Sequence, residues 1–568
     1  MLTGLVKKPP HAALHAPTPE QVAALALFAG SKSDLAIQAF AGSGKTSTLR
    51  MLALAHPGVR FLYLAYNKAL EVEASRSFPP NVETRTAHSL AYRGLGIGRS
   101  GFQARLGAVM RADELMRVVG IRPPRSIPAV TFLYAVRQTV RAFQCSAAAR
   151  VEEEHIPGDL LAELQGFRFL KSLPVTLVKA ARTLWAQRAD ERSTVPIEHD
   201  TYLKLWQLTG PCLRGVDCIL FDEAQDANPV ILDVVRNQTA RKVFVGDTFQ
   251  QIYSWRGAIN AFESLGNVER LRLSKSFRFG EAIAKAGRHA LLLHALAEGD
   301  VHFAGGGPLA SEVGLIPKDA AYCHIFRTNA AILDEACALA QARCPFAVVG
   351  DFEALLSFLE SAYALSIGRP AQVRDERLRI FPSWEEACLA AKNDKELSGI
   401  VKLVRSHGDT IPKIAKDIRK HRVEEPQARV VLTSAHRAKG REWDFVRVED
   451  DFGAMPSEAR SMPKGLLFPV EEVNLLYVAV TRARRVLEIS GPMKDLLAQT
   501  HWTPGKQASK DAAATNRALP MSAMATPNSL RQGAVADAKT PNIERSEGCQ
   551  GEGGAAPRRK TRAAQMPA

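Results

Sequence analysis

The stretch AFAGSGKT, residues 39–46, decides how this sequence is interpreted. The apolar run LAIQAF leads into it and STLRMLALA follows it, so the pattern predicts a buried strand, a glycine-rich loop and a helix in succession. Such a loop presents backbone N–H groups that hold phosphate oxygens. We therefore predict that Lys45 reaches the β- and γ-phosphates of a nucleoside triphosphate and that Thr46 is a ligand of its Mg²⁺ ion.

A pair of carboxylates supports this interpretation. Asp222 and Glu223 follow directly after the apolar run CILF. Because Mg²⁺ takes oxygen ligands and keeps several waters, one carboxylate beside the phosphates is enough to hold it, and Asp222 is predicted to be that ligand. Glu223 is then placed to orient and deprotonate an attacking water.

Alternation of short apolar runs with longer helical patterns indicates an α/β fold with parallel strands. The predicted strands fall into one cluster before residue 280 and another after residue 320. A mostly helical insertion is expected at about 90–205, with helices in FQARLGAVMRADELMRVVG (102–120) and TFLYAVRQTVRAFQ (131–144). A smaller insertion at about 355–425 contains the predicted basic helix IPKIAKDIRKHRV (411–423).

Composition narrows the class of protein. The chain has 568 residues and a formal net charge of +15, which favours a polyanionic partner, nucleic acid first. Its eight cysteines form no C-x-x-C pair, which argues against a zinc site and for a reducing compartment. No run approaches the roughly 18 apolar residues of a membrane span, so the expected location is cytoplasmic. Residues 503–568 are rich in Ala, Ser, Pro and Thr and are predicted to be disordered.

The combination of AGSGKT and DEAQD resembles the superfamily 1 helicases of the UvrD/Rep group. The other motifs of that family occur in order: TPEQ (18–21), LAYNKAL (64–70), TAHSLAY (86–92), VGDTFQQIYSWRGA (245–258), LSKSFRF (273–279), TSAHRAKGREWD (433–444) and NLLYVAVTRAR (474–484). The wording of several motifs is most similar to the helicase part of F-box DNA helicases. The resemblance covers about residues 17–490.

This resemblance implies two RecA-like parallel-sheet cores of the P-loop NTPase type, two mostly helical insertions and a disordered C-terminal tail. The implied division assigns 1–90 and 206–280 to the first core and 91–205 to its insertion. It assigns 281–354 and 426–502 to the second core, 355–425 to the second insertion and 503–568 to the tail.

The resemblance also implies roles for individual residues in binding ATP and Mg²⁺. Arg278 and Arg482 correspond to the arginines that approach the γ-phosphate, where they neutralise charge in phosphoryl transfer. Gln250 corresponds to the sensor between nucleotide and DNA, and Phe277 replaces a tyrosine that stacks on adenine. Implied nucleotide contacts also come from the loop and from other motifs, namely Gln21, Ala41, Gly42, Ser43, Gly44, Ser47, Gly440 and Glu442.

Nucleic-acid contacts are implied at a further set of positions. Trp255 corresponds to a tryptophan that stacks on a base, and Arg256 follows it; the alternative for Trp255 is an ordinary core tryptophan. The other implied contacts are Tyr66, Asn67, His88, Thr433 and His436. His88 and His436 could instead be polar residues satisfied between the cores, and metal ligation by them lacks partners at a suitable spacing.

The predicted function is an ATP-dependent DNA helicase or translocase that moves on single-stranded DNA, with 3′–5′ polarity implied by the family, in repair, replication or recombination. Its expected substrates are single-stranded and tailed duplex DNA, and recombinase filaments or replication and repair proteins are further partners. The main alternative is an anti-recombinase translocase that strips proteins from DNA with little unwinding. A helicase–nuclease and a non-catalytic scaffold fit less well, the first because of the low-complexity tail and the second because every catalytic position is filled.

Overall fold

The protein is described by a computed structural model that covers residues 16–489, except 109, 111, 121, 126, 159, 162–171, 255–256, 294–300, 380, 382, 392–394 and 453–468. The predicted tail lies outside these residues. Within the described part of the chain, no helix is long and apolar enough to cross a bilayer.

Six parallel strands form the first sheet, in the order β3-β2-β4-β5-β1-β6. Ile37 of β1 pairs with Val245 of β5 on one side and with Leu271 of β6 on the other. The central strands are mostly apolar, and FLYLA and CILF are so throughout, because helices cover both faces of the sheet. The strands are β1 (Leu35–Ala39), β2 (Phe61–Ala65), β3 (Val82–Thr86), β4 (Cys218–Phe221), β5 (Arg241–Gly246) and β6 (Glu269–Leu273).

The second sheet also has six parallel strands, in the order β11-β12-β10-β13-β14-β9. Its strands are β9 (Glu312–Val313), β10 (Tyr322–Phe326), β11 (Phe346–Val348), β12 (Val430–Ser434), β13 (Trp443–Val448) and β14 (Ala483–Ile489). A separate two-stranded ribbon pairs β7 (Lys275–Ser276) with β8 (Ala304–Gly305). We call the two sheets with their helices the first and second core. The predicted α/β class with two RecA-like cores is confirmed.

Helices cover both sheets. Helix α1 begins with a capping box, in which Thr18 and Gln21 exchange hydrogen bonds between side chain and backbone. The helices of the first core are α1 (Pro19–Gly30), α2 (Lys45–Ala55), α3 (Lys68–Ser77), α4 (Ala87–Gly94), α9 (His199–Leu208), α10 (Pro229–Arg236) and α11 (Ala261–Ser264). Those of the second core are α12 (Glu281–Leu291), α13 (Asn329–Gln341), α19 (Ala435–Ala438) and α20 (Val470–Val480).

Two groups of helices interrupt the cores. The first group, between β3 and β4, contains α5 (Phe102–Arg105), α6 (Ala112–Val119), α7 (Ala129–Gln144) and α8 (Leu173–Ala189). The second contains α14 (Phe352–Ser366), α15 (Glu376–Arg379), α16 (Trp384–Ala390), α17 (Lys395–His407) and α18 (Ile411–His421). The prediction of one helix over 102–120 was wrong. Gly107 adopts a φ of +71° and Leu106 pairs with Ile197, so the chain leaves the helix there.

The implied insertion boundaries at 90/91 and 205/206 fall within helices α4 and α9. The division into domains therefore stays a prediction.

An apolar cluster joins the two cores. Phe40, at the end of β1, stacks on Phe249 at a centroid distance of 5.9 Å and on Phe303 at 5.1 Å. The same buried cluster contains Ile283 and Val478 of the second core. Because the carboxyl ends of β1, β4 and β5 share one edge of the first sheet, the loops that follow them face this junction.

Candidate nucleotide and nucleic-acid site

The glycine-rich loop has the conformation that the sequence predicted. Gly42 and Gly44 adopt φ angles of +73° and +84°, a region that favours glycine, and helix α2 begins at Lys45. A Cβ atom on Gly42 would lie 2.7 Å from the Cβ of Arg278, so only glycine allows this close approach. The loop is thereby packed against the segment that carries Arg278.

Features of this loop fit a bound triphosphate. The Ser43 hydroxyl is buried and has no hydrogen-bond partner among the described residues. Gly44 provides no side-chain cap for helix α2, so the N–H groups of its first turn point toward the position where phosphates bind in such loops. The loop, with Lys45 beside it, therefore suits a polyanion.

The predicted metal ligands lie together. The Thr46 hydroxyl donates a hydrogen bond to Asp222 Oδ2 at 3.4 Å. The buried Tyr63 hydroxyl donates to the same oxygen at 2.7 Å. Burial, together with the charge of neighbouring Glu223, raises the pKa of Asp222, and Lys45 opposes this effect. Thr46 and Asp222 offer the hard oxygen donors that Mg²⁺ prefers, so they fit this metal.

Glu223 is the most constrained residue of the site. Its φ of +54° lies in the left-handed region, which a non-glycine residue adopts only where its surroundings enforce it. Its carboxylate lies 2.9 Å from Lys45 Nζ and 3.7 Å from Lys439 Nζ. Burial alone would raise the pKa of Glu223, but the two lysines outweigh it and lower that pKa. The carboxylate is therefore ionised and held by cations from both cores.

Lys439 connects the second core to the acidic segment of the first. Its ammonium group donates to Asp226, which is fully buried, and to the Gln250 carbonyl oxygen at 2.8 Å. Burial raises the pKa of Asp226, and the charge of Lys439 opposes that shift. One cation thus contacts the predicted catalytic carboxylate of Glu223 and two groups beside it.

Gln250 lies between the cores. Its side-chain amide donates to Asp247 at 2.7 Å, and its Oε1 accepts from Arg482 at 3.5 Å. Arg482 is buried, and its Nε donates to the Val478 carbonyl oxygen at 2.8 Å. Burial, followed by repulsion from Arg278, lowers the pKa of Arg482 to about 9. Two guanidinium groups near one another favour an anion between or beside them.

Tyr477, on helix α20, also bridges the cores. Its hydroxyl accepts a hydrogen bond from the backbone N–H of Ala41 at 3.0 Å and donates to Asp247 Oδ2 at 3.1 Å. The side chain is fully buried. One hydroxyl therefore links the glycine-rich loop, the 245–258 segment and the helix that leads to Arg482.

The 273–279 segment places Arg278 beside the loop. The Phe277 N–H donates to the Gly42 carbonyl oxygen at 2.7 Å, and the Phe277 ring lies 3.6 Å from a Cβ built on Gly44. The Arg278 Nε donates to Glu442 at 2.6 Å, and its Nη1 donates to the Thr481 carbonyl oxygen at 3.0 Å. Arg278 and Glu442 therefore meet at the junction, and their implied nucleotide contacts stay predictions.

For the remaining implied nucleotide contacts, the structure gives position and burial but no contact that assigns a role. Gln21 is buried and its amide donates to Thr48 at 3.0 Å, next to the loop. Gly440 has a φ of +82° in the turn before Glu442. Ala41 is buried and Ser47 is half-buried on helix α2. The roles of these residues stay predictions.

A row of rings lies at the surface of the junction. Tyr66, 41% exposed, stacks on Tyr253 at 5.7 Å with an interplanar angle of 18°. The Tyr253 ring lies 6.2 Å from the His436 ring, and its hydroxyl donates to the His436 carbonyl oxygen at 3.3 Å. Tyr66 and His436 were implied nucleic-acid contacts, and the structure brings them together from different cores. Faces of this kind stack on bases without reading sequence.

The other implied nucleic-acid residues are placed differently. His88 is partly exposed and its Nε2 lies 3.1 Å from Asp200. Asn67 caps helix α3 by accepting from the Leu70 N–H at 2.9 Å. Thr433 is fully buried within β12, so the structure does not bring its side chain to the surface with the rings. Trp255 and Arg256 lie outside the described residues.

Four residues at the junction were not predicted as site residues, although each lies inside one of the family motifs, namely Lys439, Tyr477, Asp247 and Tyr253. The available signal was the carboxylate of Asp247 and the rings of Tyr253 and Tyr477 within the quoted motifs. Lys439 stands among other cations in TSAHRAKGREWD and gave no separate signal. Tyr63 gave no signal, because in an apolar strand it resembles a core residue.

Comparison with known proteins agrees with this geometry. Residues 321–492 match the UvrD-like helicase C-terminal domain, and residues 199–265 match the UvrD/REP helicase N-terminal domain. F-box DNA helicase 1 of Gallus gallus is 32% identical over 507 residues, which are 81% of this chain and 48% of that protein. F-box DNA helicase protein 1 of Schizosaccharomyces pombe is 30% identical over 509 residues, 82% of this chain and 56% of that protein.

The chain thus spans about half the length of the curated relatives it matches. Two kinds of observation lead to the same kind of protein. The structure has paired parallel sheets and a glycine-rich loop, and the sequence matches two helicase domains. The chain therefore carries domains of the UvrD/Rep type of superfamily 1 helicase, over residues 199–265 and 321–492.

Proposed function

We propose that this protein is an ATP-dependent DNA translocase and helicase that moves 3′–5′ on single-stranded DNA. ATP–Mg²⁺ binds at the junction of the cores, with Lys45 and the loop N–H groups on its phosphates. Bound Mg²⁺ supplies charge neutralisation on the phosphates, and Thr46 and Asp222 are its protein ligands. The related proteins are named DNA helicases, which supports the choice of substrate.

The observation that carries this proposal is the convergence of cations from two sides on one set of carboxylates and one loop. Lys45 of the first core and Lys439 of the second both lie within 4 Å of Glu223. Arg482 reaches Gln250, and Arg278 lies against Gly42. A γ-phosphate at the loop therefore meets positive charge from both sides, as phosphoryl transfer requires.

Coupling follows from the same contacts. Arg482, Lys439 and Tyr477 reach the first core only while the two cores are in contact. A ligand that adds contacts to both cores stabilises that arrangement, and its loss weakens it. Because Tyr66 and His436 lie on different cores beside the junction, a change in the junction also changes the surface that grips the strand.

The test begins with ATP hydrolysis by the full chain, with and without single-stranded DNA. We expect DNA to stimulate hydrolysis, and we expect Lys45→Ala to reduce it at least about 100-fold, the typical effect of removing one preorganised donor. Lys32→Ala, an exposed lysine ahead of β1, is the matched control and should keep wild-type activity. An active Lys45→Ala variant, or no effect of DNA, contradicts the proposal.

Polarity is tested on duplexes with a 3′ or a 5′ single-stranded tail. Unwinding only from the 3′ tail supports the proposal, and unwinding only from the 5′ tail refutes the polarity. If DNA stimulates hydrolysis but neither duplex opens, clearance of a recombinase filament from single-stranded DNA distinguishes the protein-stripping alternative.

A further inference from the structure

Helix α7 of the first insertion has an exposed face that the nucleotide site does not use. Phe132, Val136 and Val140 of this helix are buried in the insertion core. The opposite face exposes Tyr134, Arg137 and Arg141, spaced three and four residues apart, and the helix contains no acidic residue. We call these three side chains the α7 stripe.

The arginines of the α7 stripe are not held in close ion pairs within the described part of the chain. Among the described residues, no carboxylate forms an ion pair with Arg137 or Arg141. Arg137 instead lies near the buried Arg188, where the two positive charges repel. Tyr134 is 45% exposed. The stripe therefore presents two exposed positive charges beside an accessible ring, and Arg141 interacts with the carboxylate of Asp200.

The position of the stripe connects it to the nucleic-acid candidates. Arg141 acts electrostatically on Asp200, which in turn contacts His88. The next residue on the same face, Cys145, follows the end of α7, and a Cβ built on Gly257 would lie 3.4 Å from the Cys145 Cβ. The stripe therefore begins, at Arg141, about one helical turn from a residue that packs on the 245–258 segment. From Cys145 back to Tyr134 the helix extends about 16 Å, the length of about five stacked nucleotides.

We propose that the α7 stripe is a second contact surface for single-stranded DNA, continuous with the surface at the junction of the cores. The two guanidinium groups contact phosphates, and the Tyr134 ring stacks on a base. This inference rests on the proposed function, because it takes the strand to bind at Tyr66 and His436. An acidic peptide would satisfy the arginines but would leave the ring and the continuity with His88 without a role.

The test measures binding of a labelled 20-nucleotide oligo-dT to the full chain by fluorescence anisotropy at several salt concentrations. Each phosphate contact adds about 0.7 to the slope of log K against log salt for a single strand, so Arg137→Ala/Arg141→Ala should lower that slope by about 1.4. Tyr134→Ala should keep the slope and weaken binding about 5-fold or more, because it removes stacking only.

The matched control is Lys32→Ala/Arg214→Ala, which removes two exposed positive charges. These residues precede the amino ends of β1 and β4, whereas the loops of the nucleotide site follow the carboxyl ends. We expect its slope to equal that of wild type. Circular dichroism melting shows whether each variant is folded. Tyr134→Ala tests the α7 stripe independently of the arginine variant, because it leaves both positive charges in place.

The outcomes separate the two proposals. If wild type does not bind the oligonucleotide, the proposed function fails and this inference fails with it. If wild type binds and Arg137→Ala/Arg141→Ala has the wild-type slope, only this inference is overturned. An equal loss in the control overturns it too, because net charge then explains the effect.

Discussion

Removing the Tyr477 hydroxyl tests whether the cores must be held together for hydrolysis. Tyr477→Phe keeps a ring of the same size against Phe303, 5.9 Å away, and deletes only the oxygen that joins Ala41 to Asp247. Asp247 retains a donor from Gln250 at 2.7 Å. The backbone N–H of Ala41 loses its acceptor and is left buried.

The size of the effect follows from that N–H group. A buried donor without a partner costs about 1–3 kcal/mol. Because Tyr477 belongs to the second core and Ala41 to the first, water can satisfy the N–H once the cores separate. The cost therefore falls on the joined state, and we expect kcat/KM for ATP, at saturating DNA, to fall about 5- to 150-fold.

Steady-state ATP hydrolysis at varied ATP concentration gives this value. Tyr322→Phe is the control, because it removes a hydroxyl that accepts from Arg447 at 3.1 Å at the start of β10, within the second core. We expect its kinetics to match wild type. The reasoning is refuted if Tyr477→Phe stays within twofold of wild type, or if Tyr322→Phe loses as much.

Three further perturbations address other contacts. Lys439→Met leaves the buried Asp226 carboxylate without its cation, so the free energy of unfolding measured by urea denaturation should fall by about 3–5 kcal/mol. An unchanged urea midpoint would contradict this ion pair. Tyr63→Phe removes an O–H donor from Asp222, and the Mg²⁺ concentration for half-maximal ATP hydrolysis should rise about 10-fold or more, whereas equal Mg²⁺ dependence argues against this role. Burial lowers the pKa of His324, but the carboxylates of Glu335, 3.6 Å from Nδ1, and Glu449, 3.0 Å from Nε2, outweigh it and raise that pKa. The protonated ring therefore stabilises the fold fully at pH values below the ordinary histidine pKa of about 6.5. The stabilisation is lost as pH rises through the folded pKa, so the free energy of unfolding of wild type should fall from pH 6 to pH 9, and that of His324→Gln should fall less; parallel curves would refute this link.

The strands that the sequence revealed are those near the centre of each sheet. LAIQAF and CILF are apolar because both of their faces are covered, and they form β1 and β4. The strands VETRT (β3) and ERLRL (β6) were not predicted. Both lie at the edges of the first sheet, where side chains meet water and the apolar run disappears.

Prediction of the site had a comparable limit. Motif positions predicted Lys45, Asp222 and Arg482, because the chemistry of phosphate binding restricts which residue types can stand there, and the structure places all three at the junction. Contacts between distant segments, such as that of Tyr477 with Ala41, depend on how the two sheets pack, and a linear pattern contains no such information. The left-handed backbone of Glu223 was equally invisible, since nothing in DEAQD requires it.

Lys439, which reaches from the second core into the first, makes the contact between the cores depend on the salt in solution. When the cores part, Asp226 and Glu223 lose the Lys439 ammonium group, and dissolved cations must take its place. Separation of the two cores therefore replaces the Lys439 ammonium group by dissolved cations at these carboxylates, and a high salt concentration favours this replacement. We therefore expect potassium or sodium to alter the rate of the cycle even without DNA, through this exchange alone.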